Sequence, residues 1–265
     1  MKVGIDFHNK ENSKTYTTRH ADNSWMEEVR QLLPMEKKHM KALDIGCGGG
    51  IYSKALADMG IGSVKGVDFS EVMLEGARKN CKEYKNISFM HGNAFETGLD
   101  GNEYDLLLER ALIHHIQDLS ACFSEAYRLL KHDGFYIVQD RTPDDCLVKG
   151  DDTHIRGYFF ELFPKLVKKE TSRRHKSKSV INMLYKTGFT NIKEIKLWEI
   201  RNEYDNKEQL LKDLRGRTGR SILHELDDEE LELLINHIDK SLSTSTNIVE
   251  KDRWTIWMAV KSAVI

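Results

Sequence analysis

Ala42-Leu43-Asp44-Ile45-Gly46-Cys47-Gly48-Gly49-Gly50 is an apolar stretch that carries an acidic residue and runs straight into a glycine-packed turn. A helix over Ile51–Met59 follows, stopped by Gly60. A second apolar stretch, Val64–Val67, is then tipped by Asp68, eighteen residues past Gly50. The layout is strand, tight loop, helix, strand. Glycines at 46, 48 and 50 let the backbone approach a ligand with no Cβ in the way. The helix that begins near Gly50 adds exposed N–H groups and the positive end of its dipole. A carboxylate at the tip of the second strand suits the paired hydroxyls of a ribose. The stretch therefore reads as a nucleoside site. It is not the dinucleotide pattern G-x-G-x-x-G: counted from Gly46 the third glycine is replaced by Ile51, and counted from Gly48 by Ser53. That spacing disfavours a nicotinamide-linked oxidoreductase.

Working outward, Asp22-Asn23-Ser24 caps a helix through Trp25–Leu33 that Pro34 closes. Helical spacing returns at Val72, Met73, Leu74 and Ala77. Ile87–Met90 reads as a third strand and Tyr104–Leu108 as a fourth. A helix over Leu119–Leu130 ends at Lys131-His132-Asp133-Gly134, with Gly134 where a left-handed cap is wanted, and Phe135–Val138 is the fifth strand. Strands alternating with helices argue for a parallel sheet covered on both faces. Past Asp140 the rhythm breaks into an aromatic amphipathic segment, Ile155–Leu166, and a basic stretch. Helix Val180–Lys186 and strand Ile192–Ile200 restore it. Helical segments at 206–214 and 227–240 precede a last strand, Trp254–Val260, which its long approach should place antiparallel beside its predecessor. The expected fold class is α/β: a doubly wound, mostly parallel seven-stranded sheet with the last strand antiparallel and helical cap elements. One domain spans 1–265. Its core is about 36–140, 176–200 and 251–262. Cap elements at about 1–25, 141–175 and 201–250 are expected over the carboxyl edge of the sheet, where open α/β folds bind ligands.

The totals set outer limits. The 265 residues are 40% apolar and 31% charged, ordinary for a globular protein. No stretch approaches the ~18 apolar residues of a membrane span, and the polar first 25 residues do not resemble a signal peptide. Cys47, Cys81, Cys122 and Cys146 share no metal-like spacing and read as free thiols of a reducing compartment. A cytoplasmic location follows. A net charge of −2 gives no general attraction to nucleic acid or acidic membranes, so neither is expected as a partner. Eleven histidines form no H-x-x-x-H or H-E-x-x-H pattern, and no metal is expected.

With Asp44 set before Gly46-Cys47-Gly48-Gly49-Gly50, the chain resembles the class I S-adenosylmethionine-dependent methyltransferases. The resemblance covers about residues 40–140 in unbroken order: D-x-G-C-G-x-G, Gly66-Val67-Asp68-Phe69-Ser70, Gly92-Asn93-Ala94 and the Leu129–Gly134 turn. The nearest branch looks like the small-molecule enzymes of ubiquinone and menaquinone biosynthesis. The resemblance implies that Gly46, Cys47, Gly48 and Gly50 line the methionine and ribose parts of S-adenosylmethionine, with Cys47 a small packing residue. Asp44 would orient the loop and contact the amino group, and Asp68 would take both ribose hydroxyls. Phe69 and Met73 would flank the adenine, while Asn93, through its carbonyl, and the backbone of Ala94 would meet its edge. Tyr16 and Arg19 would belong to an N-terminal lid that clamps the methionine carboxylate or an acidic substrate.

The fourth strand runs into Glu109-Arg110-Ala111-Leu112-Ile113-His114-His115-Ile116-Gln117-Asp118, the segment that the resemblance sets beside the reactive methyl. Transfer from a sulfonium is an in-line displacement, so the protein must align the nucleophile and take a proton from a hydroxyl or ammonium acceptor. Histidine suits that task. Adjacent histidines cannot both face the substrate; His114 is the expected base, and the alternative is that both pack or cap the next helix. Glu109 and Arg110 are expected to reach the cofactor or to pair with each other. No N-P-P-Y, D-P-P-Y or Pro-Cys pair follows, which disfavours methylation of adenine amines, glutamine amides or cytosine carbon. The expected function is methyl transfer to a small-molecule oxygen, nitrogen or carbon, with an RNA methyltransferase and a non-catalytic binding module as alternatives. In the caps, Tyr158, Phe159 and Phe163 line either an acceptor pocket or a core-facing helix. Arg173-Arg174-His175-Lys176 has the composition of a phosphate or nucleic-acid patch but is short and isolated, and it reads as a solvated surface or helix lead-in; Arg215, Arg217 and Arg220 either hold an anion or decorate a turn. Neither the acceptor nor the oligomeric state is written in these motifs.

Overall fold

The computed structural model describes residues 20–243 and 245–262. Tyr16 and Arg19 lie outside the described residues. The chain divides into two compact units. One runs to Asp140 and takes in Ser177–Lys196 and the chain from Thr255; the other is made of Arg141–Lys176 and Leu197–Trp254.

In the first unit, helix α1 (Asn23–Leu32) starts at Asp22, whose carboxylate accepts from the Ser24 amide at 2.8 Å. Strand β1 (Lys41–Ile45) leads through the glycine loop to α2 (Ile51–Asp58), and β2 (Ser63–Asp68) to α3 (Glu71–Asn80), capped by Ser70. Then come β3 (Ile87–His91), β4 (Tyr104–Arg110), α4 (Leu119–Leu129), β5 (Leu130–Asp140) and, after the excursion, α8 (Ser177–Thr187). Strands β6 (Thr190–Asn206) and β7 (Thr246–Val260) contribute residues to both units. The sheet has seven strands in the order β3-β2-β1-β4-β5-β7-β6. Strands β1 to β5 pair in parallel, and β7 lies antiparallel to β5 from Phe135↔Val260 to Asp140↔Thr255. The order reverses between β1 and β4, so the carboxyl ends of these two strands flank the switch point. One core joins Leu43, Ile45, Leu107, Phe123, Tyr136 and Trp257 with Val180 and Leu184 of α8.

One local expectation is corrected. Gly134 is not the left-handed residue; Asp133 is, at φ 61°. A short polar side chain tolerates that region. Glycine is needed at 134 for space instead, since a Cβ there would meet the Lys131 carbonyl oxygen at 2.9 Å. Strand β5 also begins before this turn, at Leu130, and absorbs it as a register shift opposite Tyr104 and Leu106.

In the second unit the amphipathic segment is two helices. Pro164 divides α6 (Gly157–Leu162) from α7 (Lys165–Thr171), as its ring and missing N–H favour a helix start over a helix interior. Tyr158 and Phe159 are buried among Leu210 and Leu214 of α9 (Lys207–Arg215) and Leu234 and Ile238 of α10 (Asp228–Ser241), so this is a core-facing helix. The short α5 (Pro143–Cys146) carries a capping box between Thr142 and Asp145. No helix among the described residues is long and apolar enough to cross a membrane.

Candidate active site

The loop after β1 is held by β2. The amides of Gly46 and Cys47 both donate to the Val67 carbonyl, at 2.8 and 3.1 Å. Gly46, Gly48 and Gly50 take φ of 73°, 51° and 77°, the left-handed region that a side chain makes costly. Gly50 is the N-cap of α2 and leaves that helix end without a side-chain cap. A Cβ on Gly48 would stand 3.2 Å from the Met73 methyl, so the loop is also a close-packed cradle.

Two carboxylates face the loop. Asp68 Oδ2 accepts from the Gly48 amide at 2.8 Å and Oδ1 from the Ser70 amide at 2.9 Å. Burial raises the Asp68 pKa, against the pull of the Ser70, Gly48 and Phe69 amides. Asp44 is 2% exposed and accepts from Ser53 Oγ at 2.6 Å. Burial lifts its pKa to about 7; the Ser53 bond and Arg110 pull the other way, and Asp68 adds to the rise. The Cys47 thiol is pushed well above its usual range by burial and by both aspartates, which disfavours the thiolate.

Beyond β2, Met73 is buried and Phe69 half exposed, with its carbonyl 2.9 Å from His91 Nε2. Ala94 is partly buried against the core. Asn93 differs from expectation. Its Oδ1 already accepts from the amides of Phe95 and Glu96, at 2.8 and 2.9 Å. Both carbonyl lone pairs are thereby used, and the side-chain amide is left as a donor.

The exit of β4 lies directly on the glycine loop: a Cβ on Gly46 would meet Leu112 Cδ1 at 3.0 Å. Arg110 stacks over Tyr52 of α2 at 4.0 Å and donates from Nε to Gln139 Oε1 at 3.1 Å. Ala111 then turns through φ 53°, its amide held by the Gln139 carbonyl at 2.8 Å. A left-handed alanine costs about 1–2 kcal/mol, so this exit is a fixed, strained corner. A 3-10 turn over Ile113–His115 buries Ile113 and brings His114 to Asp140, the last residue of β5. His114 Nδ1 lies 2.8 Å from Asp140 Oδ2, and the His114 amide donates to the same oxygen at 3.1 Å. Donation from Nδ1 puts the imidazole lone pair on Nε2. His115 stacks on it with ring centroids 4.0 Å apart and is exposed.

Glu109 does not join this group. It is fully buried and accepts from the Cys122 thiol of α4 at 3.3 Å, and burial raises its pKa to about 7. As strand neighbours, Glu109 and Arg110 point to opposite faces, so they neither pair nor reach a common ligand. The residues that sequence reasoning missed are Tyr52, Ser53, Gln139 and Asp140. The last two carried the same signal as Asp44 and Asp68: polar groups where an apolar strand ends. No group of three or more His, Cys, Asp or Glu among the described residues is placed to hold a metal ion. A cleft lined by Lys41, Ser63, Asn86 and Glu103 opens at the other end of the strands and holds none of the expected site residues.

Comparison with known proteins follows the same boundaries. Residues 43–138 match a family described as a methyltransferase domain. The chain is similar to the demethylmenaquinone methyltransferase of Staphylococcus aureus (strain MRSA252), 33% identical over 103 residues, which cover 38% of this chain and 43% of that one. It is similar to that of Bacillus velezensis, 26% identical over 184 residues, with 64% and 78% covered. The chain spans less than half the length of the first two curated relatives it matches. In fold it is similar to a putative methyltransferase from an antibiotic biosynthesis pathway of Anabaena variabilis, with a TM-score of 0.68 at 20% identity over 91% of this chain and 98% of that one. It is also similar to phosphoethanolamine N-methyltransferase 2 of Haemonchus contortus, solved with phosphomonomethylethanolamine and S-adenosylhomocysteine, with a TM-score of 0.62 at 20% identity over 98% and 61%.

Proposed function

We propose that this chain, whose residues 43–138 match a methyltransferase-domain family, is a class I S-adenosylmethionine-dependent methyltransferase that transfers a methyl group to a small-molecule acceptor with His114 as the base. The cradle at Gly46–Gly50 and the two buried strand-end aspartates fit the cofactor's amino-acid and ribose ends. S-adenosylmethionine, when bound, supplies a methyl on a sulfonium sulfur that needs no further activation. The protein's part is to hold and align. Asp44 pairs with the ammonium, Asp68 takes the ribose hydroxyls, and Asn93 donates its amide to a ring nitrogen of the adenine. Phe69 and Met73 cover the base. Arg110 keeps the rim of β4 fixed against α2.

The observation that carries the reading is the His114–Asp140 pair, set on the strand exit that packs against Gly46. Asp140 holds Nδ1, so Nε2 takes the proton of an acceptor O–H or N–H, and the imidazolium that forms is stabilised by the buried carboxylate. Asp140 is thus a positioning residue and His114 the catalytic one.

The relatives suggest the acceptors to try first: demethylmenaquinone, then small primary and secondary amines of the phosphoethanolamine type. With an accepted substrate, His114→Ala should lower kcat by roughly 10²–10⁴, the usual worth of a general base, at unchanged cofactor affinity. Asp140→Asn should lower kcat and move the acidic limb of the pH–rate profile. Full turnover in both variants would remove this pair from the mechanism.

A further inference from the structure

Beside Asp140 the sheet carries a second polar pair that the proposed mechanism does not use. Asp140 is opposite Thr255 in the antiparallel register of β5 and β7. Partners in register share a face, and here it is the face on which Tyr136, Val138 and Trp257 build the core. Asp140 and Thr255 are 1% and 0% exposed. From β6, the strand next to β7, Lys196 Nζ donates to Thr255 Oγ1 at 2.6 Å. Glu194 lies 3.0 Å from the same ammonium. Lys196, Thr255, Asp140 and His114 all belong to the first unit.

The groups themselves set the direction of these bonds. An ammonium only donates, so Thr255 Oγ1 accepts from Lys196 and its O–H remains a donor. Residues directly opposite in an antiparallel pair have Cβ atoms about 4.5–5.5 Å apart, a span that a threonine hydroxyl and a carboxylate can bridge. On Asp140, Oδ2 takes Nδ1 and the amide of His114, at 2.8 and 3.1 Å.

We propose that Thr255 is a positioning residue of the His114–Asp140 pair: its hydroxyl donates to Asp140 Oδ1, and the relay Lys196–Thr255–Asp140 sets how strongly His114 holds a proton. The inference rests on the reading of His114 as the base. A positive charge at the far end of the relay draws carboxylate charge away from the imidazole and opposes the imidazolium. Neutral His114, the form that accepts a proton, then persists to lower pH. Titratable neighbours of the pair are His115, stacked on His114, and Glu109, which faces the core from β4 opposite Val138. Arg110, its strand neighbour, points to the other face. Glu194 offsets part of the Lys196 charge.

Proton NMR of the unliganded full chain reads the titration of His114, with the signal assigned by its loss in His114→Ala. Turnover of an accepted substrate is the second measurement. Thr255→Val keeps the volume and removes the hydroxyl, and Lys196→Met removes the charge. Each should raise the His114 midpoint by about half a pH unit. The acidic limb of the pH–rate profile should move with it, a roughly threefold loss of kcat below the midpoint at unchanged KM. Thr255→Ser should keep the wild-type midpoint. Lys196 is part-exposed, so its variant carries the test if Thr255→Val does not fold. An unmoved midpoint in Lys196→Met, or a midpoint in Thr255→Ser as displaced as in Thr255→Val, overturns the relay. Full turnover in His114→Ala overturns it differently, by removing the base on which it rests; unmoved midpoints beside an inactive His114→Ala strike the relay alone.

Discussion

The proposed pairing of Asp44 with the cofactor's ammonium makes affinity a function of pH, because burial raises the Asp44 pKa to about 7. At that value about a tenth of the side chains are ionised at pH 6 and about nine tenths at pH 8. An ammonium group binds the ionised form. Affinity for S-adenosylhomocysteine should therefore rise about tenfold from pH 6 to pH 8, or about 1.4 kcal/mol, and level off above. The amino group of the ligand titrates near the upper end of this range, so Asp44→Asn is the needed reference. The amide keeps the shape and the Ser53 contact but not the charge, and its affinity should show only the ligand's own titration. Calorimetry at half-unit steps of pH on both proteins isolates the difference. Equal slopes in wild type and Asp44→Asn would refute the assignment of Asp44 to the ammonium. The same shift sets a stability trend. A carboxyl whose folded pKa lies above its unfolded value stabilises the protein below about pH 4, and that contribution is lost as pH rises through about 7. Bound ammonium restores it.

Two further changes probe the cradle. Asp68→Ala should weaken S-adenosylhomocysteine binding by about 1.5–3 kcal/mol, the range for hydrogen bonds to a charged group; part of the loss would come from the Gly48 and Ser70 amides it now holds. Calorimetry that finds the affinity unchanged would take the ribose from this residue. Gly48→Val should abolish binding while leaving a folded protein with a lower Tm, since a β-branched residue is forced to φ 51° with its Cβ 3.2 Å from Met73.

The sequence disclosed the parts that repeat a local rule. An apolar run, glycines at 46, 48 and 50, and Asp68 at the tip of the next strand define β1-loop-α2-β2 without tertiary information, and the observed loop follows them. That the last strand is antiparallel was expected from the sequence; that β7 inserts beside β5, between it and β6, was not. What the sequence concealed depends on which side chains meet across chain distance. Asp140 looked like the start of a broken rhythm, yet it is the partner of His114, 26 positions earlier. Asn93 spends its carbonyl on its own loop, a local competition that residue type alone does not reveal. Arg174 read as solvated because runs of basic residues usually are; its burial comes from Glu170, one helical turn before it. Arg220 read as part of a turn, and it lies beneath Tyr204, Asp213 and Glu250.

Strand parity explains why one acidic residue of β4 stands apart from the site, and it gives a last test. In the parallel pairing of β1 and β4, Asp44 is opposite Leu108 and Ile45 opposite Glu109. Partners in register share a face, so Glu109 points with Ile45 toward α4, whereas Asp44 and Arg110 point toward α2, where Ser53 and Tyr52 meet them. Glu109 is then a buried acid with a thiol for company, raised to about 7 by burial. Its stabilising, protonated form prevails below about pH 4.5 and is lost as pH rises through about 7. Glu109→Gln keeps the volume and removes the titration. At pH 5 the variant should melt near the wild type. At pH 8 it should be the more stable protein, by about 2–3 kcal/mol, since the loss builds up at about 1.4 kcal/mol per pH unit between the unfolded and folded pKa values and is nearly complete one unit above the folded one. Its affinity for S-adenosylhomocysteine should be unchanged at either pH. A tenfold loss of affinity would place Glu109 on the ligand face and break the parity argument together with the site built on it.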